Sequence, residues 1–149
     1  ASKTASVAVA QLATPALVVD LELMDANQGE IWAKLDAGTE VYFRKINRTS
    51  VQFERILKNL KETARVRPIV IQSLFLKAHG EMMPPAELDA YCARLTEIVS
   101  AGGKIKEVHA YTVARPTPEP FATKLSAAEL TAMAEQIRQK TSLKVLSFD

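Results

Sequence analysis

The run Ile69-Val70-Ile71-Gln72-Ser73-Leu74-Phe75-Leu76 is nearly continuous in apolar character. A strand with one wet face alternates polar and apolar residues, so this run belongs to a strand covered on both faces, as in parallel sheets. Parallel neighbours are joined by long crossovers, usually helices. The flanking sequence must therefore alternate helix and strand, and it does. Upstream, Phe53, Ile56, Leu57, Leu60 and Ala64 form one helical stripe, which Arg67-Pro68 stops. Thr49, with Gln52 three residues on, predicts a capping box at the start of that helix. Downstream, Pro84-Pro85 opens a helix with the stripe Leu88, Tyr91, Cys92, Leu95, Ile98 and Val99, and Gly102-Gly103 closes it.

The same alternation extends to both sides. Ile31 to Asp36 reads as a short strand, and Ala37-Gly38-Thr39 turns it into a helix over Val41 to Ile46 with Thr39 as its cap. Lys77 to Met83 reads as a loop. Lys104 to Val113 alternates strictly, as a strand does, and Arg115-Pro116-Thr117-Pro118-Glu119-Pro120 reads as a rigid extended loop. Ser126 and Glu129 form a second capping box, ahead of a helix that turns Leu130, Met133, Ala134 and Ile137 inward. Leu143 to Phe148 reads as a last strand. Near the start, Thr14-Pro15 opens a helix with Leu17, Val18, Leu21 and Met24 on one face, and residues 1–13 read as an arm or an edge strand. The fold class is α/β: a parallel β-sheet with crossover helices, in one domain over residues 1–149.

The composition narrows the function classes. A single cysteine, Cys92, excludes an internal disulfide and any cluster or zinc site built on several cysteines of this chain. No apolar run reaches the roughly 18 residues that cross a bilayer, so no membrane partner is expected. The opening Ala1-Ser2-Lys3-Thr4 lacks the apolar centre of a signal peptide, and a reducing cytoplasm is the expected compartment. Residues 44–67 carry eight basic side chains against Glu54 and Glu62. The aromatic interleaving that single-stranded nucleic acid needs is poor there, so no nucleic-acid partner is expected and the stretch reads as a solvated face.

In parallel α/β folds, ligands sit beyond the carboxyl ends of the strands. Strand alternation places Val108, Ala110 and Thr112 on one face and Glu107, His109 and Tyr111 on the other; Trp32, Lys34 and Asp36 share a face in the same way. Lys34, Asp36, Glu107, His109 and Tyr111 are expected to converge on the concave side of a barrel or half-barrel. Asp36 and His109 are the expected catalytic pair, lining one cavity. Asp36, His79, Glu81 and His109 form a candidate divalent-metal set, because two imidazoles and carboxylates with an open position are a recurring catalytic arrangement for zinc or manganese. Cys92, at the centre of an apolar stripe, is expected to be buried and inert.

Three stretches then resemble radical SAM proteins, the family that uses S-adenosylmethionine and a four-iron cluster. Ile31-Trp32-Ala33-Lys34-Leu35-Asp36-Ala37-Gly38-Thr39-Glu40 with Tyr42-Phe43-Arg44-Lys45-Ile46-Asn47-Arg48 is similar to that family's fourth strand and following helix. Pro68 to Phe75 resembles the fifth strand, and Val108-His109-Ala110-Tyr111-Thr112-Val113-Ala114-Arg115-Pro116 the sixth strand and its exit loop. The resemblance covers roughly residues 30–149 and implies the C-terminal half of a six-stranded partial barrel, a half TIM-like barrel. It implies part of a cofactor and substrate cavity around Asp36, Gln72, His109 and Tyr111, with Lys34 and Arg115 as further cofactor contacts. The family's C-x-x-x-C-x-x-C cluster motif is absent from these 149 residues, so no iron–sulfur cluster is expected from this chain and it cannot initiate a radical alone. Two alternatives stand beside this reading: a divalent-metal-dependent phosphoester-type hydrolase, and a non-catalytic binding or assembly module. A half-barrel leaves apolar surface and a strand edge to cover, so a homodimer is expected. A small-molecule ligand is a further expected partner.

Overall fold

The computed structural model describes residues 31–47, 51–113 and 121–148. The expected first helix, the 1–13 segment, Thr49 and Arg115 lie outside the described residues. Within them the elements are β1 (Ile31–Lys34), α1 (Glu40–Asn47), α2 (Phe53–Val66), β2 (Ile69–Leu74), β3 (Lys77–Ala78), α3 (Pro85–Ser100), β4 (Ile105–Tyr111), β5 (Ala122–Thr123), α4 (Ala127–Thr141) and β6 (Val145–Phe148).

The main sheet has four strands in the order β1-β2-β4-β6, every pair parallel. The order follows the chain without a reversal, so each crossover advances the sheet in one direction, as in a barrel wall. β3 and β5 form a separate antiparallel ribbon inside what the sequence reads as loops. After β3 the chain turns from Ala78 to Glu81 through His79 and Gly80, both at positive φ (53° and 81°). Two consecutive left-handed residues make the tight turn that favours hairpins.

The alternation read from the sequence places the core. Ala33, Ile69, Ile71, Ser73, Val108, Ala110 and Val145 are buried on the face that the helices cover. The helices answer with Phe53, Ile56, Leu57, Leu60 and Ala64 from α2, Leu88, Tyr91, Cys92, Leu95 and Ile98 from α3, and Leu130, Met133, Ala134 and Ile137 from α4. Val99, expected in the α3 stripe, is 44% exposed, because it falls one position beyond Ile98 in the last turn. The apolar run that opened the argument is a strand only as far as Leu74; Phe75 and Leu76 continue it as buried coil.

The helix ends follow local chemistry, with one correction. Ser126 Oγ accepts from Glu129 N and Glu129 Oε1 accepts from Ser126 N, the full capping box. Thr39 Oγ1 accepts from Tyr42 N at 3.3 Å and caps α1. The Thr49–Gln52 box does not start α2: the helix begins at Phe53, Gln52 is its cap residue, and the Gln52 side chain makes no capping bond. Glu40, in the first turn of α1, accepts from Phe53 N at 2.8 Å instead. A carboxylate there also meets the positive end of the helix dipole.

Candidate functional site

Parallel register sets the side chains of the face opposite the described helices in rows. Lys34, Gln72, His109 and Leu146 stand opposite one another across β1, β2, β4 and β6. Trp32, Val70 and Glu107 form the row before it, and Leu74, Tyr111 and Phe148 the row after it. The convergence of Lys34, Glu107, His109 and Tyr111 on one face therefore follows from register alone.

Asp36 lies just past the end of β1. Leu35 N still donates to Gln72 O, and then the Asp36 side chain replaces the ladder: Oδ1 accepts from Leu74 N at 2.8 Å. Oδ2 is 3.4 Å from Lys34 Nζ. Burial pushes the Asp36 carboxyl above its ordinary range, against the opposing pull of Lys34 and the Leu74 N–H. Burial, with the Asp36 charge, raises the Tyr111 hydroxyl to about 12, and burial, then Glu87 and Asp36, does the same for Tyr42. Asp36 lines a narrow recess with Lys34, Leu35, Phe43, Asn47, Phe53 and Ile56. Asn47 Nδ2 is buried there with no hydrogen-bond partner among the described residues. Such an atom carries a desolvation cost that a ligand oxygen would relieve.

His109 is not part of that recess. It sits mid-sheet, where its Nε2 lies 2.5 Å from Glu107 Oε2. The Trp32 ring meets it edge-on at 5.5 Å and 79°, and the Phe148 ring at 5.2 Å and 63°. The His109 hydrogen bond, then Lys144 at 3.7 Å from Oε1, holds the Glu107 carboxyl below its usual range. Asp36 lies beside α1 and α2, while His109 stands in the middle of the sheet between Trp32 and Phe148.

The candidate metal set is not gathered. His79 is an exposed turn residue stacked on Phe121 at 5.2 Å, and Glu81 closes the same ribbon against Ala78. Among the described residues no group of three His, Cys, Asp or Glu side chains could hold a metal ion. The hairpin turn carries His79 and Glu81 away from the strand ends that hold Asp36 and His109. Cys92 is buried on α3 and burial raises its thiol to about 11, so it is no thiolate ligand.

One functional contact had no signal in the sequence. Glu87, in the first turn of α3, accepts from Gly38 N at 2.6 Å, Thr39 N at 2.8 Å and Thr39 Oγ1 at 2.7 Å. Arg94 Nε donates to Gly38 O from the same helix. These bonds clamp the loop that carries Asp36. An acid early in a helix reads locally as a dipole partner, and only the tertiary fold brings the loop to it.

No helix among the described residues is long and apolar enough to cross a membrane. No protein-family model matches the sequence, and no curated protein matches it. Among solved structures, a domain of pyruvate-formate lyase-activating enzyme from Bacteroides vulgatus matches with a TM-score of 0.61 and 17% identity, over 87% of this chain and 75% of that one. At that identity the likeness is one of fold, and it fits a partial barrel built from a four-stranded parallel sheet and its helices.

Proposed function

We propose that this chain is a radical SAM-like half-barrel that carries part of a cofactor and substrate cavity at its strand ends and performs no radical chemistry alone. The observation that carries this reading is the strand-end cluster of Lys34, Asp36 and the orphaned Asn47 Nδ2, on a sheet whose order advances strand by strand. The donor set suits the amino-acid end of S-adenosylmethionine. Lys34 Nζ and Asn47 Nδ2 would hold a carboxylate, and Asp36 would accept from an ammonium. Gln72 and Tyr111 stand across the strand ends as further polar contacts. S-adenosylmethionine, when bound beside a reduced cluster, supplies a carbon radical. The cluster itself does not fit this donor set, because the one cysteine of these 149 residues is buried on α3.

Isothermal titration with S-adenosylmethionine tests the reading. Saturable binding is expected, and Lys34→Ala should weaken it about tenfold by removing a charge-assisted hydrogen bond. An absence of saturable heat up to millimolar ligand would defeat it.

A further inference from the structure

Among the described residues five large hydrophobic side chains are exposed, and three of them are single valines on helices. The other two are aromatic: Trp32 at 41% and Phe148 at 49%. Both lie on the face of the sheet opposite the described helices, and both rings rest edge-on against the imidazole of His109. That imidazole is in turn held by a carboxylate two residues earlier on the same strand. An aromatic shelf and an oriented imidazole therefore share one spot.

We infer that Glu107 and His109 form a proton-accepting dyad, and that Trp32 and Phe148 are the shelf for its substrate, a planar aromatic ring bearing an ionisable O–H or N–H. Glu107 accepts from Nε2–H and so selects the tautomer whose Nδ1 carries the lone pair. Nδ1 has no hydrogen-bond partner among the described residues. In the step, the Nδ1 lone pair takes the proton of the ring O–H or N–H. The bond to that proton breaks, its electron pair stays on the ligand, and the resulting imidazolium is paired with the Glu107 carboxylate. Return of the proton reverses the step, so no co-reactant enters. The charged and titratable groups facing the dyad are Lys34 in the same row, Tyr111 in the next row and Lys144 at Glu107 Oε1. His109 is the group that touches substrate; Glu107 is a positioning residue.

This site is separate from the Asp36 recess, so it stands or falls apart from the S-adenosylmethionine reading. Nitrogen-15 NMR of the labelled imidazoles tests the dyad directly, because the chain has two histidines and His79→Ala assigns them. The Nε2–H tautomer is expected for the neutral imidazole of His109, with Glu107→Ala giving a tautomer mixture and Glu107→Gln, which keeps an acceptor oxygen, retaining most of the preference. A dominant Nδ1–H tautomer, or a Glu107→Ala spectrum identical to wild type, overturns the inference. The substrate class is tested with para-nitrophenol as probe, followed by the absorbance of its phenolate. Wild type should bind it and raise its phenolate fraction. Trp32→Leu should weaken binding about three- to tenfold, the worth of one aromatic contact. His109→Gln should bind without raising the phenolate. No binding, or a second copy of the chain burying Trp32 in its place, shown by a concentration-dependent blue shift of tryptophan emission, overturns the assignment of this face to a small aromatic ligand.

Discussion

Asp36 shows how one side chain can finish a strand. Its carboxylate takes the Leu74 N–H that the ladder would otherwise leave unpaired, and it holds Lys34 at the same time. Asp36→Ala would strand both partners in a buried place and is expected to cost about 2 kcal/mol in urea unfolding. Asp36→Asn keeps an oxygen for Leu74 and should fall within about 1 kcal/mol of wild type at neutral pH. The pH dependence separates them further. Because burial raises the Asp36 carboxyl in the fold, the folded state holds that proton more tightly than the unfolded chain. The resulting stability is present below the ordinary carboxylate range and is lost as pH rises through the raised value. Asp36→Asn should remove that slope, and an unchanged slope would contradict the burial argument.

At the scale of elements, the loop after β1 is fixed by α3 rather than by its own turn chemistry. A Cβ on Gly38 would stand 2.1 Å from Tyr91 N and 2.5 Å from Ala90 C, both rigid helix backbone. Gly38 is therefore required for close approach, which lets Glu87 reach Gly38 N and Thr39. Gly38→Ala is expected to push the loop off α3 and to cost about 3 kcal/mol by chemical denaturation, near the upper end for overpacking. A near-neutral result would mean that the loop does not pack on α3 in solution. The capping box of α4 is the contrasting case: Ser126 and Glu129 are three residues apart, so the sequence announced it. The start of α2 was not announced, because its cap is Glu40, thirteen residues upstream on another helix.

For the whole molecule, the consequence of a four-strand order that advances without closing is a sheet with two ends. Among the described residues nothing pairs with the outer edge of β1 or of β6. Open strand edges template further pairing. Edge-to-edge self-association into a homodimer is accordingly expected, and it would leave the Trp32 face accessible. Sedimentation at micromolar concentration checks it: a single species near 16.4 kDa rules it out.

What the sequence determined by itself is everything that depends on period and local chemistry. Alternation in Lys104 to Val113 put Val108 and Ala110 under the helices and Glu107, His109 and Tyr111 on the other face, as the burial bears out. The helical stripes of α2 and α4 were legible for the same reason, and α3 failed only at Val99 in its last turn. Tertiary structure decided what meets across distance. It placed Asp36 beside α1 and α2 and His109 in the middle of the sheet, since a carboxylate two residues past a strand end follows the loop and not the sheet. It set His79 and Glu81 in a turn beside a ribbon whose two strands lie more than forty residues apart. It brought Glu87 to Gly38 and set Trp32 and Phe148, from strands at opposite ends of the sheet, against one imidazole. Such contacts depend on register and on how far the sheet curves, and residues that far apart along the chain carry no local mark of meeting.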